Sequence, residues 1–411
     1  MKKRIVFVDD ERHVLDALRR MLRPMRDQWE MTFLQTGEQA LDVLEKQPQD
    51  VIVADMRMPG MDGVTLLNTV RKRFPGVIRI VLSGHSDTNM ALQSVRHAHQ
   101  YLLKPCGAEE LKATVDRAVN LKEVFLNEAV KTVVAKIDTL PSLPRTYLEL
   151  MGELRREEPS LRVVGELVNQ DVGMSANILK LVNSAFFGLR THVSSPIHAV
   201  TLLGTEIIKA LIISLHLFSR FDMERFPGFS LELLWKHSLT TGLFAKTIAL
   251  AEGRSNSEMD DCYISGLLHD VGKLLLATNF ETTYQEVLRR SRAEGRAVHD
   301  MEKELFQATH AEIGAYLLGL WGLPENVVAA IFFHHTPPLD PPTGFSTLMA
   351  VHAANSLEHD LVVFNAEYAP HPMDMEYLAR IGMAGRAEPW RVTCAEKLTE
   401  EFHLERKDSL R

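Results

Sequence analysis

The sequence predicts two folds in one chain: a doubly wound α/β domain over residues 1–125, then an all-α domain. Three observations predict this. Short apolar runs at KRIVFVDD (3–10), DVIVADM (50–56), IRIVLSG (78–84) and QYLLKPC (100–106) alternate with segments of helical spacing. After TLPSLP (139–144), no β-alternating run of useful length appears before residue 340. And 411 residues are too many for one ordinary core.

Each early run is continuously apolar, as expected of parallel strands covered on both faces. After the first comes an amphipathic helix with Val14, Leu15, Leu18, Met21 and Leu22 on one side. Polar residues end the strands: Asp9 and Asp10, then Asp55, Ser83 and Lys104. In a doubly wound sheet, ligands bind at those carboxyl ends. Three carboxylates on one edge repel each other unless a hard divalent cation sits among them, and oxygen donors suit Mg²⁺. One carboxylate can then attack a phosphoryl group while Lys104 and the Ser83 hydroxyl hold its oxygens. The plainer alternative makes the aspartates turn formers and helix caps. It explains any one of them, but not five polar residues at matching strand ends.

From Glu109 the spacing of Leu111, Val115, Ala118, Leu121, Phe125 and Ala129 reads as one long helix. Such a helix would carry a rigid-body signal or pair with a second copy. The alternative is a last helix and a separate short one, broken near Asn127. We assign 126–140 as a connector, 141–345 as the helical domain and 346–411 as a helical extension packing on it. Toward the end of the chain, helices are expected over 343–359, 374–382 and 387–405.

The segment 163–183 has helix-turn-helix spacing, which would face Ser175, Asn177, Lys180 and Asn183 to a DNA major groove. It holds no Arg and one Lys against Glu166 and Asp171, so phosphate anchoring is poor, and two packed helices inside a bundle give the same pattern. Residues 1–125 carry 19 Lys and Arg against 17 Asp and Glu, and the rest 27 against 37. The acidic second part argues against a nucleic-acid partner. Cys106, Cys262 and Cys394 form neither a disulfide framework nor a zinc pattern. No apolar run approaches the ~20 residues of a membrane helix, the longest being ALIISLHLF (210–218). MKKRIVFVDDE is too short for a secretory leader. The expectation is a cytoplasmic protein without a membrane partner.

Six candidate metal ligands fall on predicted helices or their ends: His237, His269, Asp270, His310, His334 and His335, with Lys273 one turn after the His-Asp pair. Nitrogen and oxygen sets of this kind bind Fe, Mn, Zn or Ni and can activate water toward a phosphodiester. For a lone histidine among the 17, a satisfied core residue is the commoner reading.

Residues 1–125 resemble a two-component receiver domain, which has the flavodoxin-like fold, and VADMRMPGMDG (53–63) resembles its phosphoacceptor segment. The resemblance implies that a histidine kinase phosphorylates Asp55. It also implies that Asp9, Asp10, Asp55 and the backbone carbonyl of Arg57 hold Mg²⁺, and that Ser83 and Tyr101 are paired switch positions. WKHS (235–238), LLHDVGK (267–273), ATHAEIGAYLL (308–318) and FHH (333–335) resemble the HD superfamily of metal-dependent phosphohydrolases. TLPSLP, LKLVNSAFFG (179–188), SSPIHAVTLLG (194–204) and WGLPENVVAAIFFHH (321–335) are more similar to its HDOD branch, the HD-related output domain. That implies a response regulator whose HD-like domain signals by protein–protein interaction with an output partner. The alternative is a phosphorylation-gated phosphodiesterase acting, for example, on a cyclic dinucleotide. Two departures bear on it. HHTPPLDPP lacks the acidic and Gly-Tyr-Pro residues of the cyclic-dinucleotide group. Where the superfamily's closing Asp belongs, VHAANSLEHD offers His352 and Asn355, with Asp360 too far round. An incomplete cage, with Fe, Mn or Zn as its ion, is the expectation.

Overall fold

A computed structural model describes residues 2–74, 76–83, 100–104, 106–109, 111–116, 130, 133–134, 149–150, 152–153, 160–170, 172–182, 193–219, 230–341, 343–362 and 372–408. The chain divides into two compact units, residues 1–142 with 316–323, and residues 143–315 with 324–411.

The first unit holds five strands: β1 (Lys3–Val8), β2 (Trp29–Leu34), β3 (Val51–Asp55), β4 (Ile78–Ser83) and β5 (Gln100–Leu103). All pair in parallel, in the order β2-β1-β3-β4-β5. That is the flavodoxin-like order. Sequence reading identified four of the five. The edge strand β2 reads WEMTFL, and Glu30 and Thr32 interrupt the apolar run that marks the covered strands.

Side chains alternate across the sheet. Ile5, Phe7, Val51, Val53, Ile80 and Leu82 pack with Leu15 and Leu18 of α1 (Arg12–Met21) on one face. Val6, Val8, Ile52, Ala54 and Val81 pack with Ala40 and Leu44 of α2 (Gly37–Lys46) and Leu66, Leu67 and Val70 of α3 (Gly63–Arg73) on the other. Two apolar layers thus clamp the strands and leave their carboxyl ends as the polar edge.

The second unit is helical over its described residues. α4 (Leu161–Gln170) and α5 (Val172–Val182) pack on α6 (Pro196–Ser219). α7 (Leu231–Ala251) packs on α8 (Asn256–Leu268), and α9 (Val271–Asn279), α10 (Glu281–Glu294), α11 (Val298–Phe306), α12 (His310–Leu320) and α13 (Glu325–Phe333) follow. The chain then forms α14 (Thr347–Leu361), α15 (Met375–Arg380) and α16 (Ala387–Asp408). Starts follow sequence: Ser230, Ser346 and Asp374 cap their helices, and Ser255 with Glu258 forms a capping box. Phe244, Ile248, Cys262, Met349, Leu357, Tyr377, Trp390 and Cys394 share one core, so the last three helices pack on α7 and α8.

Two sequence expectations need correction. Ser175, placed above on a DNA-facing surface, is buried, with its hydroxyl 3.5 Å from Asn169 Oδ1. The α4–α5 pair covers α6 there, because Gly165 leaves no room between the helices: a Cβ on it would lie 2.5 Å from Ile197 Cα. Asn183 and the side chains of Asn177 and Lys180 lie outside the described residues. The second concerns length. No 20-residue apolar run was read, yet Pro196–Leu217 is long and apolar enough to cross a membrane by length and composition; half of its most apolar window is buried, and the backbone breaks at Gly204, with φ 80°. Helix continuity across 117–129, and TLPSLP, lie outside the described residues.

Candidate functional site

Asp9 follows β1 and Asp55 ends β3, so the parallel register brings both to one edge. Both side chains are buried. Lys104, just past β5, reaches between them: its Nζ is 2.7 Å from Asp9 Oδ2 and also donates to Asp55 Oδ1. The other Asp55 oxygen accepts from the Arg57 backbone N–H at 2.8 Å, and the other Asp9 oxygen from the Glu11 N–H at 3.0 Å. Burial alone would push Lys104 down, but its contacts with Asp55 and Asp9 outweigh this and hold its pKa above the usual lysine range. Asp10 sits half-buried beside Asp9.

Local sequence builds this edge. Asp62 caps α3 through the Thr65 N–H at 2.8 Å. Any Cβ on Gly63 would lie 2.1 Å from the Asp55 carbonyl oxygen, so glycine alone lets α3 start hard against the end of β3. The donor set is all oxygen and each carboxylate keeps lone pairs to spare, which fits Mg²⁺. Ser83 ends β4 and Tyr101 lies in β5, but their side chains are outside the described residues.

The six HD-like candidates meet in one buried cluster of the second unit. α7 supplies His237, the α8–α9 junction His269 and Asp270, the start of α12 His310, and the end of α13 His334 and His335. The glycine in LLHDVGK makes this convergence possible. A Cβ on Gly272 would lie 1.9 Å from the His310 carbonyl oxygen, and Gly314 abuts the same spot. Without that close crossing, α12 would stand away from α9 and take His310 with it.

Asp270 lies at the centre. Its Oδ1 is 3.0 Å from His310 Nε2, 3.5 Å from His269 Nε2 and 4.0 Å from His334 Nε2. Oδ2 is 3.5 Å from His237 Nε2 and 2.5 Å from Lys273 Nζ. Burial would raise Asp270, but His269 and Lys273 outweigh it and hold it well below the carboxylate range.

Hydrogen bonds assign the imidazole protons. His269 Nδ1 donates to the Gly266 carbonyl at 2.7 Å and His334 Nδ1 to the Ile331 carbonyl at 2.6 Å. Burial pushes His269 down to about 3 and His334 well below its ordinary value. Both rings are therefore neutral with a bare Nε2 lone pair, the form that binds metal. His334 Nε2 is buried without a hydrogen-bond partner. Such an orphaned acceptor inside a polar cluster fits a cation it is meant to meet.

His237 and His310 differ. His237 Nε2 is 3.1 Å from the bare His269 Nε2, so His237 donates there, and its Nδ1 accepts from Glu358, 2.6 Å away. Burial raises Glu358 to about 8, consistent with its carrying that proton, and lowers His237 to about 4. Although burial opposes charge on His310, Glu302 outweighs it: Glu302 Oε2 lies 2.6 Å from Nδ1 and also accepts the His310 backbone N–H at 2.8 Å.

Glu302, Glu358 and His359 were missed from sequence. Asp360, the acid weighed there, is exposed and pairs with Arg391 at 2.8 Å. Glu358, two residues earlier, is the acid that turns inward. His352 is spent structurally, donating to the His334 carbonyl at 2.8 Å and accepting the Asp374 N–H at 3.0 Å. Among the described residues, three overlapping groups have ligand atoms within 4.8 Å of one another: Asp270 with His310, His334 and His335; His237 with His269 and Asp270; and His237 with Glu358 and His359.

Comparison with known proteins finds two domains in the chain. Residues 5–116 match the response regulator receiver domain and residues 140–337 the HDOD domain. The chain is 28% identical over 319 residues to an uncharacterized protein of Treponema pallidum, covering 74% of this chain and 60% of that one. It is 39% identical over 117 residues to the hydrogenase transcriptional regulatory protein HoxA of Cupriavidus necator, covering 28% of this chain but only 24% of HoxA. So it spans less than two thirds of either relative. A crystal structure of an HDOD domain protein of unknown function from Geobacter sulfurreducens shares the fold, with TM-score 0.53 and 24% identity over 67% of this chain and 94% of that one.

Proposed function

We propose, for this chain of a response regulator receiver domain followed by an HDOD domain, that a histidine kinase phosphorylates Asp55 and thereby switches the output domain's interaction with a partner protein. The observation that carries the reading is the Lys104 ammonium shared by the buried carboxylates of Asp9 and Asp55. A carboxylate bridged this way stands at the carboxyl edge of the sheet, where this fold binds its ligands, with a cation at hand for the phosphoryl oxygens.

In the transfer, an Asp55 carboxylate oxygen forms a bond to phosphorus as the phosphohistidine N–P bond breaks, and the departing imidazole nitrogen takes the bonding pair. Lys104 remains on Asp9 and moves from Asp55 to a phosphoryl oxygen. The Arg57 N–H holds the second carboxylate oxygen in place. Asp9, Asp10, Asp55 and the Arg57 carbonyl would hold Mg²⁺, which supplies charge neutralisation to the phosphoryl oxygens. Ser83 and Tyr101 would then respond to the new charge. The functional boundaries we assign are 1–125 for the receiver, 126–140 for the connector, 141–345 for the output domain and 346–411 for its extension. Incubation with a small-molecule phosphodonor and Mg²⁺ should label the protein at one site, and Asp55→Asn should abolish the label. Undiminished labelling of that variant would refute the reading.

A second reading has its own support in the bare Nε2 atoms of His269 and His334 around Asp270. His237, His269, Asp270, His310, His334 and His335 would hold Fe, Mn or Zn, which supplies Lewis acidity toward a phosphoester. Lys273, already on Asp270, would stand ready to meet a phosphate oxygen. Turnover of a cyclic dinucleotide that disappears in His269→Ala would favour this reading. Stoichiometric metal without turnover would leave the cage a structural or ligand-sensing centre.

A further inference from the structure

We propose that Glu302 and Glu358 are positioning residues of the cage, each holding one histidine so that Nε2 faces Asp270. The inference rests on the reading of the cage as a metal site. The two carboxylates come from different helices, α11 and α14, and approach different rings in the same way. Glu302 Oε2 is 2.6 Å from His310 Nδ1, and Glu358 Oε2 is 2.6 Å from His237 Nδ1. Both are buried, at 0% and 1% exposure. Carboxylates seldom go so deep without a charged or metal-linked role.

Two of the other rings show what the carboxylates add. His269 and His334 are held through Nδ1 by the carbonyls of Gly266 and Ile331 within their own chain turns. A carbonyl three residues back is available only to a histidine at the end of a helix, and His269 and His334 occupy such ends. His237 lies inside α7 and His310 opens α12, so neither can use that device. A distant carboxylate takes its place. With a cation at Nε2, the ring proton sits on Nδ1 and the carboxylate accepts it, fixing ring orientation and raising ligand basicity. Glu358 thereby also supplies, from one turn beyond Asn355, the negative charge that the neutral amide cannot.

Each residue keeps a second oxygen, Oε1, buried without a hydrogen-bond partner, so neither is explained as a purely structural link. Glu302 does have one structural duty, the His310 N–H, and the test must separate the two.

The full chain, stripped of metal and reloaded with Co²⁺ or Mn²⁺, is titrated against a competing chelator for wild type, Glu302→Gln, Glu358→Gln, the two alanine variants and His269→Ala. Each glutamine variant should bind about 10-fold more weakly and each alanine variant up to about 100-fold more weakly. The Co²⁺ ligand-field spectrum should shift in each, with metal-free melting of the glutamine variants close to wild type at pH 5, where Glu358 is protonated. Glutamate variants that match wild type in affinity and spectrum would overturn the positioning role while leaving the cage intact. A wild type whose metal uptake equals that of His269→Ala would overturn the cage and the positioning role with it.

Discussion

The strand edge and the helical cage assemble polar groups by opposite means. At the edge, backbone register does the work: parallel pairing of β1 with β3 aligns Asp9 and Asp55, and Lys104 follows β5. In the cage no regular ladder aligns anything. Six side chains from α7, α8, α9, α12 and α13 meet because helices pack closely, and outer partners then set each ring. The edge therefore leans mainly on register, with Gly63 as a close contact beside it, whereas the cage depends on packing contacts such as Gly272. The lesson is that a site built on strands fails locally, while one built on helix crossings fails as a whole.

Breaking the crossing should have the largest effect. Gly272→Ala places a methyl 1.9 Å from the His310 carbonyl oxygen, and both neighbours are backbone. The helices must separate, at a cost of about 3 kcal/mol. Thermal melting should register the loss, and metal uptake should disappear with it. A well-folded Gly272→Ala protein with full metal binding would show that the cage does not depend on this contact.

At the edge, Lys104→Ala removes the cation between two buried carboxylates. The lysine is 23% exposed, so solvent tempers the penalty to about 2–3 kcal/mol. Mg²⁺ should recover much of the lost melting temperature, because a divalent ion can replace the ammonium. Recovery equal in wild type and variant would mean that the ion does not bind between Asp9 and Asp55.

Titration sharpens the comparison at smaller scale. Glu358 is raised to about 8 by burial, so its contribution to stability is full below the ordinary carboxyl range and is lost as pH rises through 8. Glu358→Gln has no such loss. In the metal-free protein the variant should gain in melting temperature over wild type between pH 5 and pH 9, by roughly 2–4 °C for each kcal/mol of that loss. A difference independent of pH would place the Glu358 proton elsewhere.

These contrasts also explain what sequence could reveal. Asp9, Asp55 and Lys104 were legible because each terminates an apolar run, and parallel strands put run ends on one edge. His269 and Asp270 were legible as adjacent polar residues in a buried segment. Glu358 was not: it sits one residue from His359 and two from Asp360, and only helix rotation tells which of the three faces inward. Glu302 looks like any charged residue of a surface helix in VHDMEKELF until α11 is seen against His310. Helix-turn-helix spacing left Ser175 open for a related reason, since it fits a DNA-reading pair and a packed pair alike, and burial decides for the packed pair.

The central claim is that charge arriving on Asp55 alters the helical domain. Amide hydrogen exchange of the full chain in Mg²⁺, with and without phosphodonor and repeated in Asp55→Asn, tests it directly. The account predicts altered protection within residues 143–315 and 324–411 in the phosphorylated wild type alone. Changes confined to residues 1–142 would contradict it.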